Sequence, residues 1–162
     1  MAIRKYVVVD IDGTIADCTH RLHHLTKPKK DWDSFFKECI NDEPIQEIVD
    51  LVKTMNERNY RVIYLTGRVG TDETRKATEE WLVKQGLWDY EALLMREGGD
   101  FRVDRIVKPE ILTEYIMNHF EHDENGVCHN DVISLILEDR TSVVEVFRKL
   151  GYKVLQVAEG NF

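Results

Sequence analysis

Short apolar runs rich in β-branched residues alternate along this chain with amphipathic stretches of helical period, and the runs empty into charged or glycine-bearing positions. Residues 5–11 (KYVVVDI) read as a buried strand opening into a loop. Ile45, Ile48, Val49, Val52 and Met55 then recur at helical spacing behind Pro44, a favoured first-turn residue. Residues 60–66 (YRVIYLT) form a second strand-like run ending at Gly67, and 71–85 read as a helix with Ala77, Trp81 and Leu82 inward and Gly86 as its stop. A short strand over 91–95, a helix starting at Pro109 and running to about 120, a strand over 132–137, a helix over 141–150 and a strand over 153–157 complete the rhythm. This alternation predicts an α/β chain doubly wound about a mainly parallel sheet, with sites at the carboxyl ends of strands.

A chain of 162 residues with 43% hydrophobic side chains can bury one core, so residues 1–162 are expected to form one domain. The polar stretch 17–42 is the only candidate insertion, a small lid after the first strand. No apolar run approaches the roughly 20 residues of a membrane-spanning helix, and Met1 leads directly into a strand, so an intracellular, cytoplasmic chain without a membrane partner is expected. Cys18, Cys39 and Cys128 make no CxxC pair and read as free thiols. Two histidine groups, one of Cys18, His20, His23 and His24 and another of His119, His122, Cys128 and His129, lack the paired spacing of zinc modules. They read as surface or substrate-side histidines. A net charge of −8 opposes broad nonspecific attraction to nucleic acid, so any such substrate must be held locally.

Residues of related chemistry fall at successive strand ends or helix starts: Asp10 and Asp12, then Thr66, then Lys108, then Glu138 and Asp139. Singly, each has a plainer reading: a DxDG turn, a strand-ending turn, a solvated lysine, polar loop residues. Jointly they suit phosphoryl transfer. Asp10 is the candidate nucleophile, and Asp12, two residues on, the proton shuttle for the leaving oxygen, which requires a raised Asp12 pKa. Lys108 offsets phosphate charge, Thr66 donates to it, and Mg²⁺ fits hard ligands from Asp10, the Asp12 carbonyl and Asp139.

DIDGT, LTGR, VKPEI and LEDR resemble the four motifs of the haloacid dehalogenase (HAD) phosphatase superfamily. A closer resemblance, carried by DIDGTIADCTHR, YLTGR, GDFRVDRIVKPEI and LEDRTSVVEVFRKLGYKVLQVAEGNF, is to the 3′-phosphatase domain of phage-type polynucleotide kinases. It implies a Rossmann-like HAD fold and a Mg²⁺-dependent phosphoric monoester hydrolase working through phospho-aspartate. It also implies that Thr66, Gly67, Arg68, Arg21, Asp104 and Lys108 serve phosphate and substrate, and that Asp10, Asp12, Glu138 and Asp139 serve the metal. Guanidinium forks suit phosphate oxygens, while Asp104 is expected to orient Lys108 or a basic neighbour. Two departures stand out. The fourth motif carries Glu138 where an aspartate is usual, and no GxxxxGK[ST] loop is present, so no kinase activity is expected of this sequence.

The implied substrate is a phosphorylated nucleotide or nucleic-acid 3′ end, as in repair, with a separate kinase or ligase as partner. The lid supplies Lys27, Lys29 and Lys30, and Trp32, Phe35 or Phe36 either stack on a base or pack a short helix. Two other readings stand beside it: a nucleotidase or small-metabolite phosphatase of the same superfamily, and a silent binding module.

Overall fold

The computed structural model describes residues 5–120 and 132–160. Five strands, β1 (Lys5–Val9), β4 (Tyr60–Val69), β5 (Ala92–Arg96), β6 (Ile133–Arg140) and β7 (Val154–Gly160), form one sheet in the order β5-β4-β1-β6-β7. Every pairing in it is parallel. Two short strands, β2 (Ala16–Asp17) and β3 (Glu43–Pro44), pair antiparallel outside it. The helices are α1 (Trp32–Lys37), α2 (Gln46–Glu57), α3 (Asp72–Lys84), α4 (Asp104–His119) and α5 (Thr141–Lys149).

The unbroken apolar run in β1 follows from being covered on both faces, because successive side chains of a strand point to opposite sides. Val7 and Val9 pack with Val49, Val52, Trp81 and Leu82 of α2 and α3. Tyr6 and Val8 pack with Leu112, Ile116, Val143 and Phe147 of α4 and α5. The sheet is therefore doubly wound, as the alternation of elements predicts. After β1 the chain builds β4 and β5 on one side and then crosses to β6 and β7 on the other. The order reverses beside β1, and a crevice opens there at the strands' carboxyl ends.

Four local expectations are corrected. Pro109 lies inside α4, not at its start, as the sixth residue of a helix that begins at Asp104. Proline at the first turn is a preference only, and the cost of one lost backbone bond is accepted here so that Lys108 can be carried on a rigid buried face. Pro44 belongs to β3, with α2 beginning two residues later at Gln46. In α3, Thr74 and Thr78 are buried with Trp81 and Leu82, while Ala77 is only partly covered. His24 is buried and is no surface histidine. Cys18 and Cys39 are free and buried. His119 is exposed, and His122, Cys128 and His129 lie outside the described residues. Among the described residues no helix is long and apolar enough to cross a membrane.

The stretch 17–42 folds as a 3-10 turn (Thr19–His24), α1 and a second 3-10 turn (Glu38–Asn41), its ends drawn together by the β2–β3 pair. Phe35 and Phe36 are buried beneath it with Cys18, so they pack the helix, whereas Trp32 remains 41% exposed. The insertion is fastened to the main body through Trp81, whose indole N–H donates to the Asp42 carbonyl at 2.7 Å. Trp81→Phe leaves that buried carbonyl unpaired and is expected to cost about 1–3 kcal/mol, read as a lower urea midpoint. A midpoint equal to that of the unaltered protein would show that the bond carries no stability.

Candidate active site

Asp10 lies just past β1 and prolongs its pairing, donating its backbone N–H to the Leu137 carbonyl at 3.0 Å. The chain then reverses, and Gly13 takes the left-handed conformation (φ 83°) that a side chain resists. The turn returns Thr14 to Asp10, where its hydroxyl donates to Asp10 Oδ2 at 2.8 Å. Lys108 Nζ, arriving from α4, donates to Asp10 Oδ1 at 2.6 Å and to Glu138 Oε2 at 2.7 Å. The other Glu138 oxygen accepts from the Arg140 backbone N–H at 3.1 Å. Asp139 completes the group, and a Cβ on Gly160 would fall 2.0 Å from its Oδ2, so only glycine leaves this carboxylate its space.

Asp10, Glu138 and Asp139 are all buried and offer oxygens within 4.8 Å of one another. Burial, then the Glu138 charge, pushes the Asp10 carboxyl well above its ordinary range. Burial and Glu138 likewise push Asp139 up to about 6. Burial works against the Lys108 ammonium, but the charges of Asp10 and Glu138 outweigh it and raise its pKa. When ionised, three carboxylates face one ammonium, leaving an excess of two negative charges in a dry pocket. That excess and the all-oxygen donor set fit one divalent hard cation such as Mg²⁺. Asp10, Glu138 and Asp139 each offer a carboxylate oxygen to such an ion.

Asp12 sits in a second ionic group. Arg21 Nη2 donates to Asp12 Oδ1 and, at 2.6 Å, to Asp42 Oδ2, while its Nε reaches Asp42 Oδ1 at 2.7 Å. Arg68 Nη2 donates to Asp12 Oδ1 at 2.6 Å and to Asp42 Oδ2 at 3.1 Å, and its Nε reaches Asp12 Oδ2 at 3.0 Å. The remaining nitrogens are held by the Phe35 carbonyl (3.0 Å) and the Thr78 hydroxyl (3.0 Å). Both arginines are fully buried. Two expectations are revised here. Burial raises the Asp12 carboxyl, but Arg68 and Arg21 outweigh it and hold it well below the usual carboxylate range, so it is not raised. The guanidinium groups of Arg21 and Arg68 are likewise spent on Asp12 and Asp42, not turned toward an open cleft.

Thr66 accepts from the Arg68 backbone N–H at 3.2 Å, which leaves its own hydrogen to donate. Asp104, first residue of α4, accepts from Arg96 and from Arg140 Nη1, the latter at 2.7 Å. Its basic neighbours are thus Arg96 and Arg140. A Cβ on Gly67 would lie 2.6 Å from Asp104 Oδ1, so this glycine is needed for closeness. Thr14, Asp42, Thr78, Arg96, Arg140 and Gly160 join the site without having been expected there. Thr14 and Arg140 stand inside the DIDGT and LEDR motifs, whereas Asp42 and Arg96 carry no local signal.

The family model for the polynucleotide kinase PNKP phosphatase domain matches residues 4–162. A protein solved in a Pnkp1/Rnl/Hen1 complex is 28% identical, with a TM-score of 0.74 over 99% of this chain and 48% of that one. A second, from the Pnkp1/Rnl/Hen1 RNA repair complex, is also 28% identical, with a TM-score of 0.76 over 99% of this chain and 44% of that one. This chain therefore spans slightly less than half the length of those proteins. A haloacid dehalogenase-like hydrolase family protein, SP0104 from Streptococcus pneumoniae, shares the fold at 13% identity, with a TM-score of 0.59 over 96% of this chain and 85% of that one.

A Mg²⁺ ion held by Asp139 would compete with protons for its carboxylate. Affinity for Mg²⁺ is therefore expected to fall as pH drops through about 6, with each ion bound below that value displacing a proton. Calorimetry in buffers of differing ionisation enthalpy reads both effects. Affinity that does not change across that pH would remove Asp139 from the ligand set.

Proposed function

We propose that this chain, which belongs to the polynucleotide kinase PNKP phosphatase-domain family, is a Mg²⁺-dependent phosphomonoesterase that removes 3′-phosphate from DNA or RNA ends, or from nucleoside 3′-phosphates. Family membership makes it a phosphatase of the haloacid dehalogenase superfamily. The observation that carries the reading is Asp10, fixed through both oxygens by Thr14 and Lys108 at the sheet's switch point.

In the first displacement an Asp10 oxygen attacks phosphorus, a phospho-aspartate forms, and the bond from phosphorus to the 3′ oxygen breaks. That oxygen leaves with a proton. In the second, water attacks phosphorus, the acyl phosphate bond breaks, and inorganic phosphate and free Asp10 result. Lys108 keeps Asp10 oriented, and with Thr66 it offers hydrogen bonds to phosphate oxygens. Mg²⁺ held by Asp10 and Asp139 would supply charge neutralisation at the transferring group.

Asp12, ionised by its two arginines, is prepared as the base that takes a proton from water in the second displacement. To deliver a proton in the first, it must be protonated, which requires Arg21 or Arg68 to give up part of its hold. An incoming phosphate offers such a group an alternative partner, since a guanidinium fork binds phosphate as readily as carboxylate. Substrate binding and protonation of Asp12 are then one event.

The nucleic-acid substrate is supported by the two similar proteins, one of them solved in an RNA repair complex, and a separate kinase or ligase is the corresponding partner class. A phosphate-release panel with Mg²⁺ tests the reading on 3′-phosphorylated DNA and RNA oligonucleotides, nucleoside 3′- and 5′-monophosphates and a chromogenic ester. The 3′-phosphorylated substrates should turn over fastest, and Asp10→Asn should lose about a thousandfold or more. Undiminished turnover in that variant would sink the mechanism. Faster hydrolysis of free 5′-nucleotides would move the chain to the nucleotidases, and silence on every ester would leave a binding module.

A further inference from the structure

Apart from the carboxylate centre, the insertion gathers a second set of ligand-type atoms. His23 and His24, ending the first 3-10 turn, meet Glu38 at the start of the second, with one atom from each inside 4.8 Å of the others. The two imidazole rings lie 4.0 Å apart between centroids. His24 is only 8% exposed; its Nδ1 has no hydrogen-bond partner, and its Nε2 lies 3.0 Å from Glu38 Oε1. A buried imidazole nitrogen without a hydrogen bond is uncommon in folded chains, which satisfy their buried polar groups. Nδ1 of His24 is left without a partner, and its Nε2 is aimed at a carboxylate.

The neighbours supply the remaining features of a metal site. His23 Nδ1 lies 3.0 Å from the His20 carbonyl, which can only accept, so Nδ1 carries the proton and Nε2 keeps its lone pair. This is the outer bond that commonly orients a ligating histidine. His24 beside Glu38 holds the carboxyl's pKa below the ordinary range and favours its ionised form. Ligands about 2.1 Å from a tetrahedral zinc ion stand about 3.4 Å apart, close to the separation of His24 Nε2 and Glu38 Oε1.

We propose that His23, His24 and Glu38 bind one divalent cation of the zinc class, which closes the insertion by joining its two 3-10 turns. Two imidazoles and a carboxylate select a borderline metal such as Zn²⁺ or Co²⁺ over Mg²⁺, so the site is chemically distinct from the oxygen-only centre at Asp10 and Asp139. Arg21 belongs to the same turn as His23 and His24 and grips Asp12. The cation therefore braces the segment that sets the charge of the proton shuttle. Spacing in the sequence gave no hint of it, because Glu38 arrives from a separate turn.

The test titrates the full chain with Co²⁺ and Zn²⁺ in excess Mg²⁺, which fills the oxygen centre, and repeats it on Asp139→Asn. One equivalent should bind in both, with Co²⁺ giving the visible ligand-field spectrum of a nitrogen-ligated ion. His23 and Glu38 are partly or wholly solvent-facing, so His23→Ala and Glu38→Gln should fold normally by circular dichroism. Since outer-shell changes alone cost about 10–100-fold in metal affinity, loss of either ligand should cost at least about 100-fold. Absence of binding, or binding unchanged in both variants, would overturn the proposal and leave His24 and Glu38 as an ion pair. Neither result bears on the phosphatase reading.

Discussion

Carboxylates crowded at the ends of parallel strands repel one another, and everything at this sheet's switch point depends on how that repulsion is met. Six acidic groups, Asp10, Asp12, Asp42, Asp104, Glu138 and Asp139, lie within three ionic clusters. Asp12 and Asp42 are balanced by Arg21 and Arg68, and Asp104 is held between Arg96 and Arg140. Lys108 answers Asp10 and Glu138, with Asp139 close beside them. The deficit of positive charge is thus local, and it falls beside the group best placed to attack phosphorus. Buried ion pairs of this kind contribute little net stability once desolvation is counted, but removing one partner leaves a costly uncompensated charge. The clusters hold the site in one arrangement more than they hold the fold together.

How much of this was legible in the sequence depended on distance along the chain. β1 and its DIDGT turn were readable because local geometry and hydrophobic run agree, and the strand-end rule then picked out Thr66, Lys108, Glu138 and Asp139. Asp42 was not readable. It lies 21 residues from Arg21 and 26 from Arg68, and no spacing rule connects them. Asp104 was seen as a partner for a base, but which base was fixed only by the sheet bringing Arg96 and Arg140 to the same end. The state of Asp12 departs from expectation for the same reason: a proton shuttle suggests a raised pKa, whereas two buried guanidinium groups impose the opposite. Pro109 misled because a common helix-start signal was overridden by the anchoring of Asp104 one turn earlier.

The insertion, expected from the sequence as a small lid, packs its aromatic side chains against its own buried residues in the structure. Phe35 lies under the Arg21 guanidinium, 4.1 Å from its centre, so its ring is committed to the interior and cannot receive a base. Trp32 keeps one exposed edge, stacked against Phe36 and approached by Lys30. Of the three aromatic side chains Trp32, Phe35 and Phe36 it is the one left exposed.

The narrow gap between Gly160 and Asp139 bears on how the sheet's outer strand finds its alignment. β7 is an edge strand with few fully buried side chains, and a strand of that kind is prone to slip along its neighbour. In the native pairing Gly160 stands opposite Arg140, directly against the Asp139 carboxylate. A slip of one residue would bring Glu159 or Asn161 into a space with room for a hydrogen atom, and Glu159 would add like charge as well. Gly160 therefore serves as a stop against which the strand is indexed. The same missing side chain that leaves Asp139 room to work also corrects the assembly of the sheet that carries it.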